Sequence, residues 1–209
     1  MSAPAVDHLV YASPDLAGGC RRIESLLGVK PIPGGRHEGM GTRNALVSLG
    51  ENAYLEIVGI DPEQPAPEGG RWFGIDQLRR PRLVTWSLRP ASLDRQLDRA
   101  QAAGLDLGAV RAGRRRRTDG VELRWRVTDP GAARRGGVLP FLMDWLDSEH
   151  PARGLEPECS LVSLFAEHPE AESVSAELRV LGADIPVGFG PEPGLTATIR
   201  SPRGLVELR

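Results

Sequence analysis

The feature that most constrains this chain is an internal repeat: a strand, a helix and a run of strands recur, in that order, three times. The first copy opens on Val6-Asp7-His8-Leu9-Val10-Tyr11, a short strand. Ser13-Pro14-Asp15 follows as an N-cap, a proline at the first helical position and an acid in the first turn. Leu16, Cys20, Ile23 and Leu27 then fall at helical spacing, and Gly28 stands where a helix-ending glycine belongs. Beyond a glycine-rich stretch, 44–49 and 54–58 read as strands joined by the turn Gly50-Glu51-Asn52.

The second copy repeats the plan. Residues 83–88 form a strand, Leu93, Leu97 and Ala100 mark a helix that stops at Gly104, and 121–127 alternates apolar and charged residues as a half-buried antiparallel strand does. Residues 138–145 close the unit. In the third copy, 161–165 is a strand, and a helix from Pro169 carries Val174, Leu178 and Leu181 and ends at Gly182. Strands at 185–188, 195–200 and 205–208 complete it. Pro- and Gly-rich linkers at 61–70 and 149–157 separate the copies. The chain therefore divides into residues 1–151, holding two βαβββ modules at about 6–60 and 82–146, and residues 155–209, a third module. Two modules close one sheet, so the third leaves an edge to be covered. It either packs on the first pair or meets its counterpart in a homodimer.

Composition removes several classes of function. A net charge of −2 gives no reason to expect nucleic acid or an anionic membrane as partner. The arginine run at 114–117 reads as a solvated hairpin loop, since nucleic-acid readers interleave aromatics with basic residues. Lys30 is the only lysine, and the rest of the basic residues are arginine, a pattern of GC-rich, bacterial-type coding rather than a binding device. Cys20 and Cys159 match no metal spacing, and Cys20 falls on a helix's apolar stripe. The N-terminus has no signal-like segment and no apolar run reaches membrane-spanning length, so a cytoplasmic location is expected.

Several local phrases sharpen the repeat. Asp7-His8-Leu9-Val10, the stretch from Gly39-Met40-Gly41 to Leu46, Tyr54-Leu55-Glu56-Ile57, Pro140-Phe141-Leu142-Met143-Asp144-Trp145 and His150-Pro151 resemble the glyoxalase-like domain family of the vicinal-oxygen-chelate superfamily, which includes bleomycin-resistance proteins and extradiol dioxygenases. The resemblance covers residues 6–151 closely and extends more loosely into the third unit. It implies an α+β fold in which two βαβββ modules pair into an open, barrel-like curved sheet around a cavity.

Metalloenzymes of this superfamily place ligands on the first and fourth strands of each paired unit. In the first unit His8 and Glu56 occupy those places, and strand parity puts His8 with Val6 and Val10, and Glu56 with Tyr54 and Val58. An imidazole and a carboxylate suit one divalent metal such as Zn, Mn, Fe or Ni, which would act as a Lewis acid on a chelating substrate. In the second unit Thr85 stands where a second histidine belongs, and Asp144 matches Glu56, or Leu142 if the register slips. The candidate metal ligands are then His8, Glu56 and Asp144, with His150 a further donor.

The same His8 and Glu56 make an acid–base pair without metal. His37 and Asn44 beside the Gly39-Met40-Gly41 loop, Tyr54, and an apolar wall of Trp86, Trp125 and Trp145 are candidate substrate contacts, although core packing also suits the tryptophans. No dinucleotide fingerprint, nucleophile elbow or P-loop is present, so no nucleotide cofactor is expected. Two functions follow: a metal-assisted lyase, isomerase or dioxygenase on a small molecule, or a metal-free protein that binds or sequesters a ligand in the same cavity. Thr85 weighs toward the second. An assembly role for the third module is a weaker alternative.

Overall fold

The computed structural model describes residues 5–116 and 120–209. The first unit consists of β1 (Ala5–Ser13), α1 (Leu16–Leu27), β2 (Ile32–His37), β3 (Thr42–Ser48) and β4 (Tyr54–Ile60). The second consists of β5 (Arg82–Arg89), α2 (Leu93–Ala102), β6 (Arg111–Arg116), β7 (Glu122–Val127) and β8 (Phe141–Asp144). The third consists of β9 (Ser160–His168), α3 (Ala171–Leu181), β10 (Val187–Phe189), β11 (Gly194–Ser201) and β12 (Gly204–Leu208). Among the described residues no helix is long and apolar enough to cross a membrane.

The first two units share one eight-stranded sheet in the order β2-β3-β4-β1-β5-β8-β7-β6. Within each unit the first strand runs parallel to the last, β1 beside β4 and β5 beside β8, and the units join where β1 lies antiparallel to β5. The sheet curls until its edge strands β2 and β6 approach each other, the nearly closed barrel of an α+β fold. Those edges carry the weakest strand signals in the sequence. Ile32-Pro33-Gly34-Gly35-Arg36-His37 contains a proline and two glycines, and β6 reads Arg111-Ala112-Gly113-Arg114-Arg115-Arg116 with almost no apolar residue. Pro and Gly are tolerated at edges, and charge blunts an edge against further pairing. The arginine run is therefore strand rather than loop through Arg116; Arg117 lies outside the described residues.

Alternation divides the sheet's two faces. Leu9, Tyr11, Leu55, Ile57, Leu88 and Leu142 point to the convex side, into a core shared with all three helices. Val10, Ala12, Tyr54, Val58, Leu123, Phe141 and Met143 point to the concave side. The caps are partly as read from sequence. Gly28 and Gly182 end α1 and α3 at positive φ. The cap of α1, however, is Asp15, whose carboxylate accepts from the Ala17 and Gly18 amides, while Ser13 remains in β1.

The third unit keeps the element order but not the pairing. Its separate sheet runs β10-β9-β11-β12, so β9 pairs with the strand directly after its helix rather than with the last strand. It packs on the first pair: Leu164, Ala166, Leu178, Ile199 and Leu208 enter the core that also holds Leu49 and Leu88. Gln96 of α2 donates to the Val180 carbonyl at 2.9 Å, and the Leu161 amide donates to the Leu49 carbonyl. Arg135 pairs with Glu177 on α3. Because one core spans all three units, Leu178→Ala should destabilise the whole chain by about 2–5 kcal/mol. Chemical denaturation should show that loss as one shifted transition; a separate early transition for 160–209 would contradict a shared core.

Candidate functional site

The site lies on the concave face and begins with an irregularity in β1. The β1–β5 register steps from Val6 opposite Leu88 to His8 opposite Ser87, leaving Asp7 as an unpaired bulge residue. Strict alternation would send Asp7 and His8 to opposite faces; a bulge re-aims one of them. Asp7 Oδ1 lies 2.7 Å from His8 Nδ1, and Oδ2 accepts from Trp145 Nε1 at 2.9 Å and His150 Nε2 at 3.2 Å. Burial opposes ionisation of Asp7, but the hydrogen bonds from His150 and His8 and the positive charge they can carry outweigh it and hold the carboxyl well below its usual range. An ionised carboxylate only accepts hydrogen bonds, so His8 carries its proton on Nδ1 when neutral and turns Nε2 elsewhere.

Nε2 faces Glu56 of β4, 3.6 Å from Oε2. That is too long for a hydrogen bond, which leaves Nε2 available. The other oxygen, Oε1, accepts from Asn44 Nδ2 at 2.5 Å and lies 3.4 Å from His37 Nε2. Glu56 is buried, which disfavours its charge, yet His37, His8 and Asn44 lower its pKa from 4.5 to about 2. His37 is set by Thr42 Oγ1, 2.9 Å from its Nδ1. Tyr54 stacks on His8 with ring centres 4.7 Å apart. Burial first, then the charges of Asp7 and Glu56, pushes the Tyr54 phenol well above its usual value, so it stays a proton donor.

Around this polar cluster the walls are apolar. Trp125, Val127, Phe141, Met143 and Trp145 come from the second unit; Trp72 and Phe73 come from a short turn at Trp72–Gln77 that follows the first linker. The chamber lined by these residues holds about 50 Å³, and a neighbouring cavity of about 280 Å³ shares His37, Trp72 and Trp125 with it.

The structure thus brings His8, His37, Asn44, Tyr54, Glu56 and Trp145 to one cavity and sends two expected residues away from it. Trp86 is fully buried on the convex face, where its indole N–H donates to the Val138 carbonyl at 2.7 Å. Asp144 alternates with the cavity-lining Met143 and Trp145, so it turns outward, and its Oδ1 accepts from the Leu146 amide at 3.0 Å. His150 reaches Asp7 rather than Glu56. Sequence reasoning misses Asp7, because no local signal marks the bulge, and Arg115, which stands inside an arginine run that reads as solvated.

The glyoxalase-like domain family matches residues 6–182, and the chain belongs to that family, within the vicinal-oxygen-chelate superfamily. Its fold and cavity suit a small-molecule function of that type. No curated protein matches the chain. Among solved structures, a hypothetical protein from Staphylococcus aureus is similar at 15% identity and a TM-score of 0.66, over 97% of this chain and 83% of that one. This likeness concerns the fold alone. Methylmalonyl-CoA epimerase from Mycobacterium tuberculosis is 24% identical over 66% of this chain and 85% of its own, with a TM-score of 0.43. A variant of the Streptomyces coelicolor methylmalonyl-CoA epimerase, in complex with 2-nitronate-propionyl-CoA, is 22% identical over 72% of this chain and all (100%) of its own, with a TM-score of 0.46.

The residues present do not fit the divalent metal that the resemblance implies. Val10 lies opposite Thr85 and beside Glu56, and Ser87 lies opposite His8 and beside Phe141. The near two-fold relation of the units therefore makes Thr85 the counterpart of His8 and Phe141, not Asp144 or Leu142, the counterpart of Glu56. Neither supplies a ligand for Zn, Mn, Fe or Ni. His8 and His37 flank different oxygens of Glu56 instead of converging on one point with it. Among the described residues no group of three His, Cys, Asp or Glu is placed to hold a metal ion.

Calorimetric titration of Mn, Fe, Ni and Zn should accordingly find no stoichiometric site that Glu56→Gln weakens; a site lost about tenfold in that variant would restore the metal. The low pKa of Glu56 also sets a pH dependence. Its contribution to stability is present above the unfolded value of 4.5 and is lost as pH falls toward 2. Acid unfolding followed by circular dichroism should be less steep across that window in Glu56→Gln; an unchanged slope would contradict the depressed carboxylate.

Proposed function

We propose that this protein is a proton-transfer enzyme, of isomerase or lyase type, acting without a metal on a small carbonyl compound held in the concave cavity. One observation carries the reading: His8, its Nδ1 held by Asp7, turns Nε2 to the cavity beside the ionised Glu56. An imidazole fixed in this way accepts a proton at a single defined atom. Nε2 of His8 takes a proton from the carbon next to the carbonyl. The imidazolium that forms lies between the carboxylates of Asp7 and Glu56, which stabilise it. Among the described residues the Tyr54 hydroxyl makes no hydrogen bond to the protein, and it remains protonated. It can donate to the oxygen on which enolate charge develops. His37, on the far side of Glu56, is a second acid for returning a proton. The apolar walls exclude water and strengthen these interactions.

The test is hydrogen exchange. Carbonyl compounds that bind, found by ligand-observed NMR, are incubated with the protein in D2O. Wild type should exchange the hydrogen next to the carbonyl. His8→Gln should lower the rate roughly 100-fold or more, and Asp7→Asn should lower kcat more than it changes KM. Compounds that bind tightly without any exchange would sink the enzymatic reading in favour of a metal-free ligand-binding or sequestering protein.

A further inference from the structure

The cavity contains a charge that this chemistry leaves unused. Arg115 is only 9% exposed and lines the same chamber as His8 and Glu56. It sits on β6 opposite Leu123, on the concave face. Its hydrogen bond runs from Nη1 across the gap in the barrel to the Gly34 carbonyl. Arg71, Arg126 and Arg135 all find carboxylates, but among the described residues none lies within ion-pair distance of Arg115. Glu56 is engaged by Asn44 and the two histidines.

A guanidinium has five N–H donors, and burying it without a counter-ion is expensive. One bond to a backbone carbonyl does not explain it, because a neutral amide side chain makes the same bond without burying charge. What a guanidinium adds is a planar fork that matches a carboxylate in two parallel hydrogen bonds. The wall beside it is apolar because the backbone leaves room for a ring. A Cβ on Gly113, two residues away on the same strand face, would lie 2.3 Å from the Trp125 indole, so only glycine lets that ring lie against β6. A charged fork and a flat aromatic surface therefore line the same cavity as the His8–Glu56 pair.

We propose that Arg115 binds the carboxylate of the ligand, and that the cavity selects small organic acids with an apolar or aromatic body. The inference takes from the proposed function only that the ligand occupies this cavity. With the carboxylate on Arg115 and the body against Trp125 and Trp145, the remaining carbons of the acid are directed toward His8 Nε2.

The experiment is a calorimetric titration with a panel of small acids and their uncharged amides, among them 3-phenylpropanoate and 3-phenylpropanamide, hexanoate and hexanamide. Wild type should bind the preferred acid about tenfold or more tighter than its amide. Arg115→Gln should bind the two equally, with amide affinity unchanged, and Arg115→Lys should keep part of the preference. Without ligand, the thermal midpoint of Arg115→Gln should equal or exceed that of wild type, because a buried unpaired charge has gone. Failure of every acid to bind, equal binding of acid and amide by wild type, or equal weakening of both in Arg115→Gln would each overturn the proposal. So would a preference fully retained in Arg115→Gln. Arg115-dependent acid binding with no hydrogen exchange would remove the proton-transfer reading and leave this one standing; exchange with no Arg115 dependence would do the reverse.

Discussion

The antiparallel contact of β1 with β5 is the constraint on which the remainder of the molecule depends. It joins two units into one sheet, and by its near two-fold relation it sets which residues of the two halves face each other across the cavity. The bulge at Asp7 interrupts that contact where it matters most. A regular pairing would leave His8 without its carboxylate and would separate Trp145 and His150 from their common acceptor. One extra backbone residue thus converts a stretch of sheet into an oriented imidazole, and the sheet tolerates the lost ladder bond because it is braced on both sides by β4 and β8.

The cavity is electrostatically lopsided, and the asymmetry follows from the repeat having diverged. The first unit supplies His8, His37, Asn44 and Glu56; at the positions corresponding to His8 and Glu56 the second supplies Thr85 and Phe141. Two buried carboxylates would be unstable against so much aromatic surface if each stood alone. Asp7 is held by His150 and an indole and Glu56 by His37 and an amide, with His8 between the two, so neither charge stands alone. Arg115 is the exception, a second-unit charge for which the described residues supply no carboxylate.

The third unit serves the other face. The third helix and sheet join α1 and α2 in the core on the convex side of the eight-stranded sheet. Its strands pair in a different order from those of the first two units.

Much of this was legible in the residues. Periodicity, capping glycines and linkers marked every helix and most strands, because core-facing segments have to carry their apolar residues at fixed spacing. Strand parity also grouped His8 with Val10, and Tyr54 with Glu56, before any tertiary information, but the bulge at Asp7 turns Val6 to the opposite face from His8. The edge strands β2 and β6 were obscure for the opposite reason: half-exposed edges need no apolar pattern, so glycine, proline and arginine can stand there. Parity correctly applied would even have excluded Asp144, once the strand was known to begin at Phe141 and to send Met143 and Trp145 inward. What no local pattern carries is register. Whether Asp7 bulges, whether Thr85 or Ser87 lies across from His8, and whether Arg115 meets a carboxylate or only the Gly34 carbonyl are decided by how distant strands align. Side-chain periodicity determines which face a residue occupies; only the folded sheet, through its long-range hydrogen bonds, decides which residues of other strands it meets there.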